Sequence, residues 1–171
     1  MSPAYDIPKA APSGPLRLVQ QFVNSVDREH EIEWLDERWF AEHGLAGAED
    51  LATAREAREA LRTLLTVNNG APLEPAAIER LNEIAGSVGL AVRFDDRGRA
   101  ALEPLWERPL AAILAALHTA MAGGSWTRLK ACRNCRWAFY DYSKNRSATW
   151  CSMRLCGNRL KTRAYRSRQR G

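Results

Sequence analysis

Residues 132–159 read Cys132-Arg133-Asn134-Cys135, then fifteen further residues, then Cys151-Ser152-Met153-Arg154-Leu155-Cys156-Gly157-Asn158-Arg159. A C-x2-C turn aims two thiolates at one ion because the backbone between them forms a tight knuckle, and a second pair returning through space completes a tetrahedron. All four cysteines of the 171-residue chain fall in this stretch. Their spacing is that of zinc ribbons and treble clefs. It predicts one structural zinc ion on Cys132, Cys135, Cys151 and Cys156, with no coordination position open for catalysis. The bland alternative, thiols that are merely buried or redox-active, fits the spacing poorly. The insert offers a return path: 137–140 reads as one strand, 141–146 as a polar loop and 147–150 as a second strand that carries Cys151 back beside Cys132. Ser152 suits an N-cap, which puts Cys156 in the first turn of a helix, where the helix dipole favours thiolate charge.

Charge concentrates in the same region. From Trp126 to Gly171 the chain holds 13 basic residues and one acidic residue, Asp141, whereas the preceding 125 hold 12 basic and 19 acidic, so a net +12 follows a net −7. A basic end of this kind points to a polyanion, most often nucleic acid. Beyond Cys156 the predicted helix carries Arg159, Arg163, Arg166 and Arg170 as one stripe, with Lys161 and Arg168 beside it. Lys144 and Arg146 in the loop, Arg154 before Cys156, and the interleaved Trp137, Tyr140, Tyr142 and Trp150 extend the same surface. The expected nucleic-acid contacts are Lys144, Arg146, Arg154, Arg159, Lys161, Arg163 and Arg166; the competing reading is a solvated basic tail.

Upstream, 1–15 is rich in Pro and Ala without periodicity and reads as a disordered arm. Apolar residues at helical spacing then predict helices ending near Asp27, over 31–43, over about 49–67 and over 75–88. The period changes at 90–94 and 99–102, which flank Asp95-Asp96-Arg97-Gly98 as a β-hairpin. A last helix over 105–121 ends at Gly123 and Gly124. The fold class expected is therefore mostly α: a helical domain with one hairpin over 16–124, and a small treble-clef or zinc-ribbon-like finger over 125–171 ending in a basic helix. Asn24 and Ser25 follow the buried-looking Phe22 and Val23 and need partners; internal hydrogen bonds are favoured, and a pocket contacting a small-molecule effector is the sharper alternative.

His30, His43 and His118 are scattered, and no nucleophile elbow, P-loop or dinucleotide fingerprint occurs, so no catalytic residue is expected. No run of 18 apolar residues and no signal peptide is present, which predicts a cytoplasmic protein without membrane contact.

Cys132-x2-Cys135, Phe139-Tyr140-Asp141-Tyr142-Ser143-Lys144-Asn145-Arg146-Ser147, Trp150-Cys151-Ser152-Met153 and Cys156-Gly157-Asn158-Arg159-x-Lys161 resemble the CGNR zinc-finger family of bacterial proteins over roughly 126–168. In that family the finger usually follows a helical domain known as ABATE, regarded as a stress-induced transcriptional regulator. Phe22-Val23-Asn24-Ser25-Val26-Asp27 resembles its opening Phe-Val-Asn-Thr motif, with Ser25 in place of Thr. The resemblance implies a bacterial nucleic-acid-binding regulator, and the preferred reading is a DNA-binding transcription regulator whose helical domain senses a ligand or assembles the protein. An RNA- or ribosome-associated zinc-ribbon protein is the second reading. A protein-interaction adaptor with zinc only as a folding staple is the third.

Overall fold

The computed structural model describes residues 9–158. Helix α1 (Pro15–Val23) starts with proline at its first turn, and buries Leu16, Val19, Phe22 and Val23. It ends four residues before the expected Asp27. Ser25 donates its hydroxyl to the Phe22 carbonyl at 2.7 Å, and the chain turns into a two-residue strand β1 (Val26–Asp27), paired antiparallel with β2 (Ile32–Glu33). The helix expected over 31–43 consequently shrinks to α2 (Glu37–Glu42). Asp36 sets its start by accepting the Trp39 N–H at 2.7 Å.

Helix α3 (Leu51–Val67) is capped by Asp50, and α4 (Pro75–Ser87) packs against it. Strands β3 (Leu90–Phe94) and β4 (Ala100–Pro104) form the expected hairpin, with Gly98 at a φ of 73° in the turn. Helix α5 (Pro109–Ala122) begins later than 105 because β4 runs to Pro104 and Arg108, which precedes a proline, is extended. Glu49, far upstream, serves this helix start by accepting the Leu110 N–H at 3.0 Å and the Arg108 guanidinium at 2.7 Å. The turn before Glu49 needs glycine: a Cβ on Gly47 would lie 1.8 Å from the Glu107 carbonyl oxygen.

The finger region contributes β5 (Leu129–Ala131) and β6 (Ala138–Tyr140), antiparallel, with the C-x2-C knuckle as their connection. This corrects the expected pairing: β6 pairs upstream with β5, and 147–150 forms no strand. The main core runs through both regions. Leu129, Ala131, Ala138 and Tyr140 belong to the same buried cluster as Phe22, Leu61, Leu65 and Leu114. The arm expected to be disordered over 1–15 is also corrected where it is described. Ala11 is fully buried, and the Lys9 carbonyl accepts the Tyr140 N–H at 2.7 Å. Bonds to its backbone from the Tyr140 N–H, the Gln20 amide and the Tyr142 hydroxyl hold this segment, which explains why its composition gave no sign of order.

Candidate metal centre and its docking on the helices

Backbone bonds shape the knuckle. The Cys132 N–H donates to the Trp137 carbonyl at 2.9 Å, and the Arg136 N–H donates to the Cys132 carbonyl at 3.0 Å. Arg136 takes a left-handed φ of 65° to close the turn. After Cys151, the Ser152 carbonyl accepts from both Cys156 N–H (3.0 Å) and Gly157 N–H (3.1 Å), so the expected first turn is a π-type turn over Met153–Gly157 that presents Cys156.

All four sulfurs lie within 4.8 Å of one another, with Cys135–Cys151 and Cys151–Cys156 both at 3.6 Å. A tetrahedral zinc with Zn–S near 2.3 Å requires sulfur–sulfur edges of about 3.8 Å. The set therefore fits one structural zinc ion. Three ligands, Cys132, Cys151 and Cys156, are buried and Cys135 is half-buried, and the Asn134 amide donates to the Cys156 sulfur at 3.5 Å. The chemistry of the thiols agrees. Hydrogen bonding from the Cys135 and Cys151 thiols pushes Cys132 far below the usual thiol range, whereas hydrogen bonding with Cys132 raises Cys135 to about 12 and also raises Cys151. Thiols this close cannot all ionise unaided, and a divalent cation supplies the missing charge. When bound, zinc fastens the two halves of the finger together and leaves no open site.

Four side-chain amides clamp the β5–β6 hairpin between two helices. On one side, Asn24 Oδ1 accepts the Ala138 N–H at 2.7 Å while its Nδ2 donates to the Ala138 carbonyl at 2.9 Å. Gln20, one turn earlier on α1, donates to the same carbonyl at 3.1 Å and accepts the Ala11 N–H at 2.6 Å. On the other side, at the end of α3, Asn68 Nδ2 donates to the Leu129 carbonyl at 2.9 Å, and Asn69 Nδ2 to the Ala131 carbonyl at 2.8 Å and the Thr149 carbonyl at 3.0 Å. Both edges of a two-stranded ribbon thus find partners, as buried backbone groups must. Arg62, only 2% exposed, adds a tie from α3: it donates to the Arg136 carbonyl at 2.9 Å, to the Val23 carbonyl, and to Glu59 at 3.0 Å. Trp34 meets Trp137 edge to face at 6.5 Å.

Lys130 and Asp141 organise the return loop. Lys130 Nζ donates to Asp141 Oδ2 at 2.8 Å and to the carbonyls of Arg146 (2.5 Å) and Ala148 (3.2 Å). Asp141, fully buried, also accepts the Ser143 N–H and hydroxyl and the Ala148 N–H. Burial works to raise its pKa, but hydrogen bonds from Lys130 and Ser143 outweigh it and hold the carboxyl at about 2. Side chains do the work here that the sequence assigned to a second strand.

Of the residues expected to meet nucleic acid, Lys144, Arg146 and Arg154 are exposed on the finger, and Arg146 donates to the Thr127 hydroxyl at 3.1 Å. Arg159, Lys161, Arg163 and Arg166, with the basic helix that was to carry them, lie outside the described residues. Asn24 and Ser25 are buried and bonded to protein: Asn24 to Ala138, Ser25 to Phe22 and, at 3.3 Å, to the Arg58 guanidinium. The polar atoms of both side chains are thus engaged within the protein, which is the arrangement the internal reading expects. The docking residues Gln20, Asn68, Asn69 and Arg62 escaped the sequence reading. The signal available was Gln20 and Asn24 at i and i+4 on a helix face that also carries apolar residues.

No curated protein matches the chain. A family model described as the CGNR zinc finger matches residues 128–169, and one described as "ABATE: Putative stress-induced transcription regulator" matches residues 16–124. The second spans more than half of the chain, and the four-cysteine centre sits where the first is matched: the chain belongs to the ABATE family and carries a CGNR zinc finger.

Proposed function

We propose that the protein is a cytoplasmic, bacterial DNA-binding transcription regulator in which the zinc finger meets the DNA backbone and the helical part holds the finger in place. The observation that supports this most is the placement of charge. Lys144, Arg146 and Arg154 are exposed on a finger whose region carries a net +12, while the region before it carries −7. Phosphate would be attracted to one part of the molecule and repelled by the other. We ascribe no catalysis to the chain: a four-thiolate zinc set has no position for substrate. Selection from random duplex DNA, with RNA and an acidic protein as competitors, tests the reading. Salt-sensitive retention of a duplex subset supports it. Preference for RNA supports a ribosome- or RNA-associated role, and retention of the acidic protein alone supports an adaptor.

A further inference from the structure

We propose that the cleft between the end of α3 and the zinc knuckle is a phosphate site, formed by Arg133 and Arg136, that takes a phosphodiester of the nucleic-acid backbone. The proposal rests on the reading of the chain as a nucleic-acid-binding protein and adds two contacts that the charge pattern of the tail does not reveal.

The cleft has a volume of about 300 Å³ and is lined by Asn69, Gly70, Ala131, Cys132 and the two arginines among others, none of them acidic. The two arginines differ in how they are held. Arg133 Nε and Nη2 donate to the Asn69 carbonyl at 3.2 and 2.7 Å, which fixes the guanidinium plane and leaves Nη1 without a protein partner among the described residues. Gly70 admits it: a Cβ there would lie 3.1 Å from Arg133 Nη2. Arg136 is anchored by its backbone alone. Its N–H goes to Cys132 and its carbonyl to Arg62, and its exposed guanidinium has no partner among the described residues. A fixed fork and a cation unpaired among the described residues, both lining one cleft, suit an oxyanion, whose charge-assisted bonds are stronger than neutral ones.

Position argues for a backbone phosphate. Thr149 joins the cleft to the loop bearing Lys144 and Arg146, because its carbonyl accepts the Arg133 N–H at 3.3 Å. Thr149 lies three positions after Arg146, at most about 11 Å of chain. One strand could therefore lie across the loop cations and the knuckle cations together.

The test uses the full chain, zinc-loaded, and an R133Q/R136Q variant. Duplex DNA is titrated over a range of salt, zinc content and melting are measured for both proteins, and inorganic phosphate is titrated while arginine Nε–H resonances are followed. The expected result is unchanged zinc, a salt slope shallower by about two, and affinity down roughly tenfold per arginine at 0.1 M salt. If the double variant loses zinc, R136Q alone, which removes no protein hydrogen bond, should still show half of the effect. Unchanged slope and affinity with zinc intact overturn the proposal. Wild type that binds no nucleic acid fails the regulator reading instead. Saturable perturbation by inorganic phosphate in that case assigns the cleft to a free oxyanion and overturns the phosphodiester.

Discussion

Asn24 and Ala138 exchange two hydrogen bonds across 114 residues of chain, at 2.7 and 2.9 Å, so that an amide side chain of the first helix stands where a neighbouring strand would be. The finger is consequently not a module on a tether. Its hairpin uses Asn24 and Gln20 at one edge and Asn68 and Asn69 at the other, and its inner face completes the helical core. Arg62 reaches from α3 to the knuckle itself through the Arg136 carbonyl.

Replacing Asn24 with alanine strips the buried Ala138 N–H of its acceptor and leaves the Ala138 carbonyl with Gln20 as its remaining side-chain donor. An unsatisfied buried donor costs about 1–3 kcal/mol, so urea unfolding of Asn24→Ala should show a loss of about 1–3 kcal/mol. Asn24→Asp keeps the acceptor for the Ala138 N–H but turns a carboxylate on the Ala138 carbonyl, and should be at least as damaging near neutral pH. Stability within 0.5 kcal/mol of wild type for both variants would contradict the clamp.

Zinc removal should be felt by the helices. Leu129, Ala131, Ala138 and Tyr140 share a core with α1, α3 and α5, so the metal that closes the finger also closes one wall of that core. Purified protein should carry one equivalent of zinc, and chelation should lower the melting temperature of the helical signal as well as expose the finger to protease. Cys135→Ser should behave like the chelated protein. A helical transition that ignores chelation would show the two regions to be independent.

Legibility in the sequence followed how far each signal reaches along the chain. Helices α3 and α4 stood out because their periodic apolar residues lie within one element. The hairpin announced itself through Asp95 and Gly98, and the cysteines through their spacing. The β5–β6 pairing did not, because three-residue strands carry almost no pattern and the knuckle between them, not propensity, brings them together. Ordering of residues 9–11 was equally hidden, since the Lys9 carbonyl and the small Ala11 do the packing. Asn68 and Asn69 follow directly on α3, where their local role is to end the helix; their partners 61 and 62 residues away are a tertiary fact.

Acid should loosen the return loop before it unfolds the rest. Asp141 has a folded pKa of about 2 against roughly 3.9 for an unperturbed aspartate. A lowered folded value means that the carboxylate contributes stability fully above about pH 4, and that this contribution is lost as pH falls from there toward 2. Asp141→Asn removes the charge that Lys130 faces in a buried pair and should cost about 3–5 kcal/mol at neutral pH, with the difference from wild type shrinking over the same window. Acid titration of stability for the two proteins measures this. Parallel curves down to pH 2 would assign the loop's order to other groups.

The remaining prediction concerns how much of the polyanion affinity each part of the basic surface supplies. Lys144, Arg146 and Arg154 are exposed on the finger, and Arg159, Lys161, Arg163 and Arg166 follow in sequence with no intervening acid. If about five of these cations meet phosphates of duplex DNA, log K should fall against log[salt] with a slope of roughly −4 to −5. Each lost contact should flatten that slope by about one, so an Arg163→Ala/Arg166→Ala double variant should lose about two, and Lys144→Ala/Arg146→Ala a similar amount. Arg159 differs from Arg163 and Arg166 because it lies three residues from the ligand Cys156 and could support the zinc loop instead; Arg159→Ala must therefore be read with its zinc content. The two double variants should retain zinc, since neither replaces a ligand. Equal affinities and slopes for wild type and both doubles would remove the finger from nucleic-acid binding and favour a protein partner, and tighter binding to RNA than to duplex DNA in the same titration would reassign the polyanion.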